Sequence, residues 1–540
     1  MKTLTRLQML EKQNKDLRVR LENRGGKAEL ALCAMGDDLK ALEAKLRERD
    51  KTIAMLQAGY APLSSENEAL RQLVESLQGR IATLQDALDK AEDRAAKLAA
   101  MLKKDSSTSD KPTSGDFARA KAASAKEKSG KGIGGQPGHE GRRLPPSPKP
   151  DKIVDKMPPD ACPGCGGHVV HSGEYERRQL FDVEVRVSVT EERAHEGRCG
   201  DCGRRVSGEF SRGFNSHVGY GPTLRAIAAI LNTDANVPVH QTAAFLSSLT
   251  DGRVNMSDGT VVNIVSDLAG RLEETVRDII GALAACGVLN ADETGVRING
   301  SLNWMQIIAN KDFTLFGRSP KRGTPNAEMN GLLLLFTGIL VHDHLLSYYG
   351  YAHVGHAECN VHVLRYLKAV SEIMRHPWAK EMAELLKGAN KRKKELMDAG
   401  AARMDADEIE SFRRRYSETL GRGQKEYIAA IEGKKNITYY DEERRLLARL
   451  EKYMGEHLLF LENFDVPFSN NVAEHGARHV KGKKNASGGF RTGGGVDNYA
   501  AVASVVATLR KQGMQVFSVI RDTFLGNAPR FGMDLSHDSG

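Results

Sequence analysis

The sequence predicts a multidomain α+β protein: an N-terminal coiled coil, a zinc ribbon, a helical DNA-binding region, and an α/β core interrupted by a helical insertion. Three observations carry that prediction. Apolar heptads run through the first hundred residues, two Cys-x-x-Cys pairs flank a strand-like stretch, and strand signals begin near residue 286 before helical periodicity returns at 363. The 540 residues fit three or four domains of roughly 100–200 residues each. With 40% hydrophobic and 27% charged residues, most of the chain can bury a core. No run of 18 apolar residues reads as a membrane span, and the first residues lack the apolar stretch of a signal peptide, so the expected location is cytoplasmic, without membrane contact. The net charge of +8 favours a polyanion partner, because Lys and Arg displace counterions from phosphates; a merely soluble basic protein carries the same charge.

The elements follow in order. Residues 1–104 are assigned to the coiled coil. Leu63, Leu70, Leu77, Leu84, Ala91 and Leu98 share one heptad position, and Asn67, Val74, Ile81, Leu88, Ala95 and Leu102 the position four later. Leu32, Leu39, Leu46 and Ile53 keep the same period earlier. Such helices either join protomers into a homo-oligomer, a dimer first, or pack on their own protein. Asn67 at a core position would help fix register.

Residues 105–160, rich in Ser, Lys, Gly and Pro, form a basic flexible linker that contains Gly134-Gly135-Gln136-Pro137-Gly138-His139. In 161–215, Cys162, Cys165, Cys199 and Cys202 bracket a strand-like stretch from Val183 to Val189. Two such knuckles place four thiolates around one tetrahedral Zn²⁺, a structural role without chemistry; a redox dithiol is the weaker alternative. Residues 216–280 read as a helix-turn-helix-like set of three helices, with Pro222 at a first helical position, a second start near Pro238 and Ser257 as the cap of the third. A plain three-helix bundle is equally compatible.

The core is expected in two parts, 281–362 and 463–525, around a helical insertion at 363–462 and before a tail at 526–540. Gly287 to Ile298 reads as a strand with Asp292 near its centre, and Leu302 to Ala309 as a second strand. Leu332 to Val341 is an apolar run that ends in His342-Asp343, which would place an aspartate at the exit of a buried strand. Ser469 is a plausible N-cap for a helix that carries Glu474 in its first turns. Asn470, Glu474, Arg478 and Lys481 share a face of that helix, followed by Lys483, Lys484 and Asn485. The glycine-rich stretch 488–495 lacks a Walker-type lysine and is not read as a nucleotide site. Ala500 to Leu509 reads as a core helix. Cys359 and His362, three apart on a helix, read as a buried structural pair; a metal there would need further ligands.

This order of parts resembles the IS66 family of insertion-sequence transposases. The resemblance rests on the leading coiled coil, residues 134–139, the cysteine pairs, Ala291-Asp292-Glu293-Thr294, Cys359-Asn360-Val361-His362 before Leu364-Arg365, Asn470-Asn471-Val472-Ala473-Glu474, and Lys483-Lys484-Asn485. It departs at Asp343, followed here by His344-Leu345-Leu346 where the family often has Gly-Tyr, at Ser469 for Asp, and at Lys483 for Arg. What the resemblance implies is an RNase H-like core whose DDE triad is Asp292, Asp343 and Glu474. Three carboxylates of this kind can hold two Mg²⁺ (or Mn²⁺) ions for in-line displacement at phosphorus. Metal-dependent cleavage and strand transfer at the ends of an insertion sequence are then expected, with Asn471, Arg478, Lys481, Lys483 and Lys484 as DNA contacts. The implied partners are double-stranded DNA at element ends and target, a second protomer and accessory proteins of the same element. The alternative is a non-catalytic DNA-binding regulator that retains the fold.

Overall fold

The computed structural model describes residues 8–15, 27–58, 64–103, 144–211, 213–323, 327–434 and 437–532. The Gly134–His139 stretch, most of the expected linker and the tail beyond 532 lie outside the described residues, as does the side chain of Asn67. The chain divides into two compact units: Met1–Ala120 with Ser211–Ala243 and Ser257–Gly540, and Lys121–Phe210 with Ala244–Met256.

In the larger unit, a short helix α1 (8–15) precedes α2 (Lys27–Ala58) and α3 (Ser64–Lys103). The last two pack antiparallel: Arg94 pairs with Asp38, and Arg80 with Glu48 at 2.9 Å. Leu39, Leu42 and Leu46 meet Leu84, with Leu10 of α1 closing the cluster. The heptad leucines thus face one another inside one chain, the second of the two arrangements that the spacing allows.

Four helices follow: α4 (Pro222–Thr233), α5 (Val239–Leu249), α6 (Asp258–Arg271) and α7 (Glu273–Ala284). Pro222 occupies the first turn of α4, where its missing N–H costs nothing. The Ser257 hydroxyl caps α6 by accepting from the Thr260 amide at 3.1 Å. Val261, Ile264, Val265 and Leu268 of α6 are buried. The α6 helix packs on α4 and on a C-terminal helix, α15 (Gly493–Lys511), so it belongs to the same compact unit as the core.

A hairpin of β1 (Glu196–Arg198) and β2 (Arg205–Ser207) lies in the smaller unit. The core sheet has five strands, β3 (Val288–Ile298), β4 (Ser301–Ala309), β5 (Thr314–Ser319), β6 (Ile339–His342) and β7 (Gly355–Glu358), in the order β5-β4-β3-β6-β7. The first three pair antiparallel, while β6 joins β3 and β7 joins β6 in parallel. Asn299 (φ 46°) and Gly300 (φ 81°) make the two-residue turn between β3 and β4, a conformation that Asn-Gly adopts at low cost. The apolar run expected as one strand is split. Ala327–Leu335 is helix α8, and only Ile339–His342 is strand. Gly338 makes the switch possible: a Cβ there would lie 2.3 Å from the Gly287 carbonyl oxygen, too close for any other residue.

Two layers cover the sheet. On one side, α14 (Asn471–Ser487) and α15 bury Ala473, Ala477, Val480, Val496 and Tyr499 against Val296, Met305, Ile307 and Phe316. Gly476 lets α14 approach closely, since a Cβ there would be 2.9 Å from Ile307. The edge strand β5 gives its Phe316 amide to Ser504 (2.9 Å) and its Thr314 amide to Thr508 (3.1 Å), so α15 closes that edge. The expected insertion is helical throughout: α9 (Asn360–Ala369), α10 (Pro377–Asp398), α11 (Ala406–Ile431), α12 (Asp441–Lys452) and α13 (Met454–Glu462). Its core, centred on Trp378 and Tyr416, is continuous with Val341 of β6 and Ala357 of β7. One further helix, α16 (Val516–Phe524), packs on α4. Among the described residues no helix is long and apolar enough to cross a membrane.

In the smaller unit, the two Cys-x-x-Cys turns have the same local geometry. The Gly166 amide donates to the Cys162 carbonyl and the Gly203 amide to the Cys199 carbonyl, at 2.8 and 2.9 Å. Both glycines have positive φ (73° and 69°). The second turn is the loop of a hairpin, β1 (Glu196–Arg198) with β2 (Arg205–Ser207). Val183 to Val189 is not a strand. Val183 and Val189 are each 83% exposed, so the alternating apolar side chains of this stretch are not packed against a layer as a half-buried strand requires.

Candidate active site

Register places the first two acids. Ala291 of β3 pairs with His342 of β6 in a parallel ladder, so the next residues along each strand, Asp292 and Asp343, come side by side at the carboxyl ends of the paired segment. Glu474 arrives from α14, one turn after Asn470. Asn470, rather than Ser469, is the N-cap residue, and its side chain makes no cap bond. Its amide is spent on the sheet: Nδ2 donates to the Ala291 carbonyl at 2.6 Å, and Oδ1 accepts from Asn290 Nδ2 at 2.9 Å. The Asn470 backbone amide donates to Cys359 Sγ at 3.2 Å. The side chain of Asn470 is therefore the bolt that sets the start of α14, and hence Glu474, against β3.

The electrostatics of this corner are unfavourable by themselves. Burial raises the Asp292 carboxyl to about 7, and the neighbouring Asp343 and Glu474 carboxylates push it further in the same direction. The Glu293 amide bond and the charge of Lys481 act against them. Oε1 of Glu474 is buried and accepts no hydrogen bond. A set of oxygen donors that repel one another, one of them an orphan, fits a hard divalent cation such as Mg²⁺.

Basic groups surround the acids. Arg365 of α9 lies 4.0 Å from Glu474 Oε1, and Arg478 lies 3.5 Å from Oε2. Arg322, whose side chain is half exposed, lies 3.6 Å from Glu293 and 4.0 Å from Asp343, with its guanidinium 5.1 Å from the centre of the Trp304 ring. Glu293 is buried; burial raises its carboxyl, while bonds from Gln306 and from the Gly323 amide lower it. Glu293 thus ties down the turn that presents Arg322.

The expected DNA contacts separate into two groups. Asn471, Arg478, Lys481 and Lys484 are exposed or carry exposed side chains on α14. Lys483 departs from them. It is buried at 4% exposure, its Nζ donates to the Asn232 carbonyl at 2.6 Å, and burial lowers its pKa to about 8. That lysine joins α14 to the end of α4 and does not share the exposed face. The glycine-rich stretch is likewise structural. Gly488 ends α14 with positive φ, Phe490 bonds the tip of β3, and Thr492 caps α15 through the Gly495 amide at 3.1 Å.

Cys359 and His362 gather with Glu474, their ligand atoms within 4.8 Å of one another. Burial raises the Cys359 thiol to about 11, so it is held protonated, as suits a structural partner of the Asn470 amide. The four outer cysteines stay as two separate pairs: among the described residues, no three of their thiols meet at metal-ligand distance. The amides of Gly164 and Cys165 lower the Cys162 thiol, and those of Cys202 and Asp201 lower Cys199.

Sequence reasoning passed over Arg322, Glu293 and the bridging role of Asn470. Nothing in local spacing signals them, because each acts across the sheet on residues far away in sequence.

No curated protein matches the chain. The profile described as Transposase IS66 family matches residues 217–498, more than half of the chain and all of the corner just described. The chain belongs to the IS66 transposase family.

Proposed function

We propose that the protein is a DDE transposase that cleaves DNA at the ends of its element and joins those ends to a target, using two divalent cations held by Asp292, Asp343 and Glu474. The observation that carries this reading is the convergence of three carboxylates from β3, the end of β6 and α14, where burial and then the neighbouring acids raise Asp292 to about 7. The strand order β5-β4-β3-β6-β7, antiparallel in its first half and parallel in its second, supports the RNase H-like description of the core.

Bound metal ions would activate the attacking oxygen and stabilise the leaving one. The chain's own residues do the rest. Asn470 and the close approach at Gly476 fix the helix that presents Glu474. Arg322 and Arg365 flank the acids and would hold phosphate oxygens in line. Asn471, Arg478, Lys481 and Lys484 would track the DNA backbone along α14. The two cysteine turns would close on one structural Zn²⁺, and the smaller unit with the helices at 222–271 would read the end sequence. Joining two ends needs at least two protomers, and proteins of the same element would assist.

Cleavage of labelled element-end DNA in Mg²⁺, by the intact protein and by Asp292→Ala and Glu474→Ala, tests this reading. Cleavage by the intact protein alone is expected. Equal cleavage by all three would remove the triad, and DNA binding without cleavage by any of them would favour the regulatory alternative.

A further inference from the structure

A second cluster lies at the end of the same sheet. His344 follows Asp343 directly, Glu358 is the last residue of β7, and His457 lies on α13. Their ligand atoms fall within 4.8 Å of one another, and all three side chains are at least nineteen-twentieths buried.

The protons in this cluster can be counted. The Tyr416 hydroxyl has one hydrogen, which it donates to the Leu450 carbonyl at 3.1 Å. Its oxygen therefore accepts from His457 Nδ1, 3.0 Å away, and that ring nitrogen carries the proton. A neutral His457 then turns a bare Nε2 lone pair toward Glu358 Oε2 at 2.9 Å, where two acceptors oppose each other. His344 sets its Nδ1 against the same Oε2, and neither of its nitrogens makes a hydrogen bond. Oε1 of Glu358 is already satisfied by the Tyr349 hydroxyl at 3.0 Å. One extra proton, on His457, would answer this opposition while His344 presents its own Nδ1–H to the same oxygen; a metal ion where the three ligand atoms converge would answer it by taking both nitrogens and the carboxylate oxygen.

We infer that His344, Glu358 and His457 bind a first-row divalent metal ion, Zn²⁺ by the softness of its donors, that clamps the catalytic sheet to the inserted helices. Two imidazoles and one carboxylate are a common zinc donor set, and a tyrosine bonded to the far nitrogen of a ligand histidine fixes its tautomer and ring orientation. The site shares no residue with the carboxylates at Asp292, Asp343 and Glu474, and its role is positional: it pins the backbone immediately after Asp343. The inference stands whether or not the protein cleaves DNA.

The test is zinc K-edge absorption spectroscopy with zinc quantification on the full-length protein, purified without chelator and dialysed after incubation with ZnCl₂ in excess over both proposed sites. The expected spectrum contains a nitrogen/oxygen shell at about 2.0–2.1 Å, distinct from any sulfur shell at about 2.3 Å from the cysteine turns. Glu358→Gln and His344→Phe should each lose one zinc per chain together with that shell, and leave the sulfur shell in place. Cys359→Ser and Asp292→Asn should keep it. A sulfur-only spectrum, or a nitrogen/oxygen shell that survives both cluster variants, overturns the proposal. So does a protein that retains no zinc, in which case a buried imidazolium is the cation. If the cluster variants fail to fold, the spectrum of the unsubstituted protein decides between these outcomes.

Discussion

Asp292 of β3 and Glu358 of β7 lie on parallel strands separated by β6, yet their surroundings treat a buried carboxylate in opposite ways. At Asp292 burial raises the carboxyl to about 7, with the neighbouring acids pushing the same way. At Glu358, burial acts upward as well, but His344, His457 and Tyr349 surround the group, and the two histidines hold its carboxyl well below the usual range. The difference lies in which side chains the chain supplies at each strand end. One corner brings three carboxylates together, with Cys359 and His362 behind Glu474, and on the proposed reading leaves charge for a hard cation and a phosphate to neutralise. The other supplies nitrogen donors and is closed off by α13. On the readings proposed above, the carboxyl ends of one set of parallel strands would carry a site for chemistry and a site for structure.

Substitutions at the two carboxylates should move stability in opposite directions. Glu358→Gln should destabilise the protein at neutral pH by about 3–5 kcal/mol, measured by denaturant unfolding, because it strands two buried histidines. The folded-state pKa of Glu358 is lowered, so its contribution is present above the ordinary carboxylate value and is lost as pH falls through the lower folded value. Asp292→Asn should instead stabilise the metal-free protein at pH 8, by roughly 2–4 kcal/mol. Here the folded pKa is raised from 3.8 to about 7. Stability therefore declines as pH rises through that window, and the gain from the substitution should vanish near pH 4. Destabilisation by Asp292→Asn at pH 8 would break the comparison.

Asn470→Ala sharpens it from the backbone side. Removing the amide leaves the Asn290 Nδ2 and the Ala291 carbonyl without their buried partner, at a cost of about 2–3 kcal/mol in unfolding free energy. Asn471→Ala, one residue along and exposed, should be neutral in the same measurement. The smallest effect is expected on the surface of α14. Lys481→Ala and Lys484→Ala should weaken binding to DNA of any sequence and reduce the salt dependence by a slope of about 1 for each phosphate contact removed. Lys483→Met should leave that slope unchanged and act on folding, since its ammonium is bonded to Asn232.

What could be read in advance follows the reach of local rules. Strands β3 and β4 and the helix starts at Pro222 and Ser257 are specified by nearby residues and appear where periodicity and capping chemistry place them, whereas the helix carrying Glu474 starts without the expected Ser469 cap, held instead by the cross-sheet bonds of Asn470. The run 332–341 divides between helix and strand, a split that apolar content alone does not signal, because the break depends on Gly338 meeting Gly287 across the sheet. Lys483 looked like its neighbours because exposure depends on how α14 rotates against α4, a tertiary fact. The Glu358 cluster draws on residues up to 113 positions apart, from His344 to His457, which no local motif joins.

The most direct measurement is metal-dependent cleavage of element-end DNA by Asp343→Cys, compared with the intact protein in Mg²⁺ and in Mn²⁺. A thiolate ligand binds Mg²⁺ poorly and accepts the softer ion better. The account predicts that the variant loses cleavage in Mg²⁺ by roughly 10³-fold and recovers a large part of it in Mn²⁺. Undiminished cleavage in Mg²⁺ would contradict it, because Asp343 would then hold no catalytic metal.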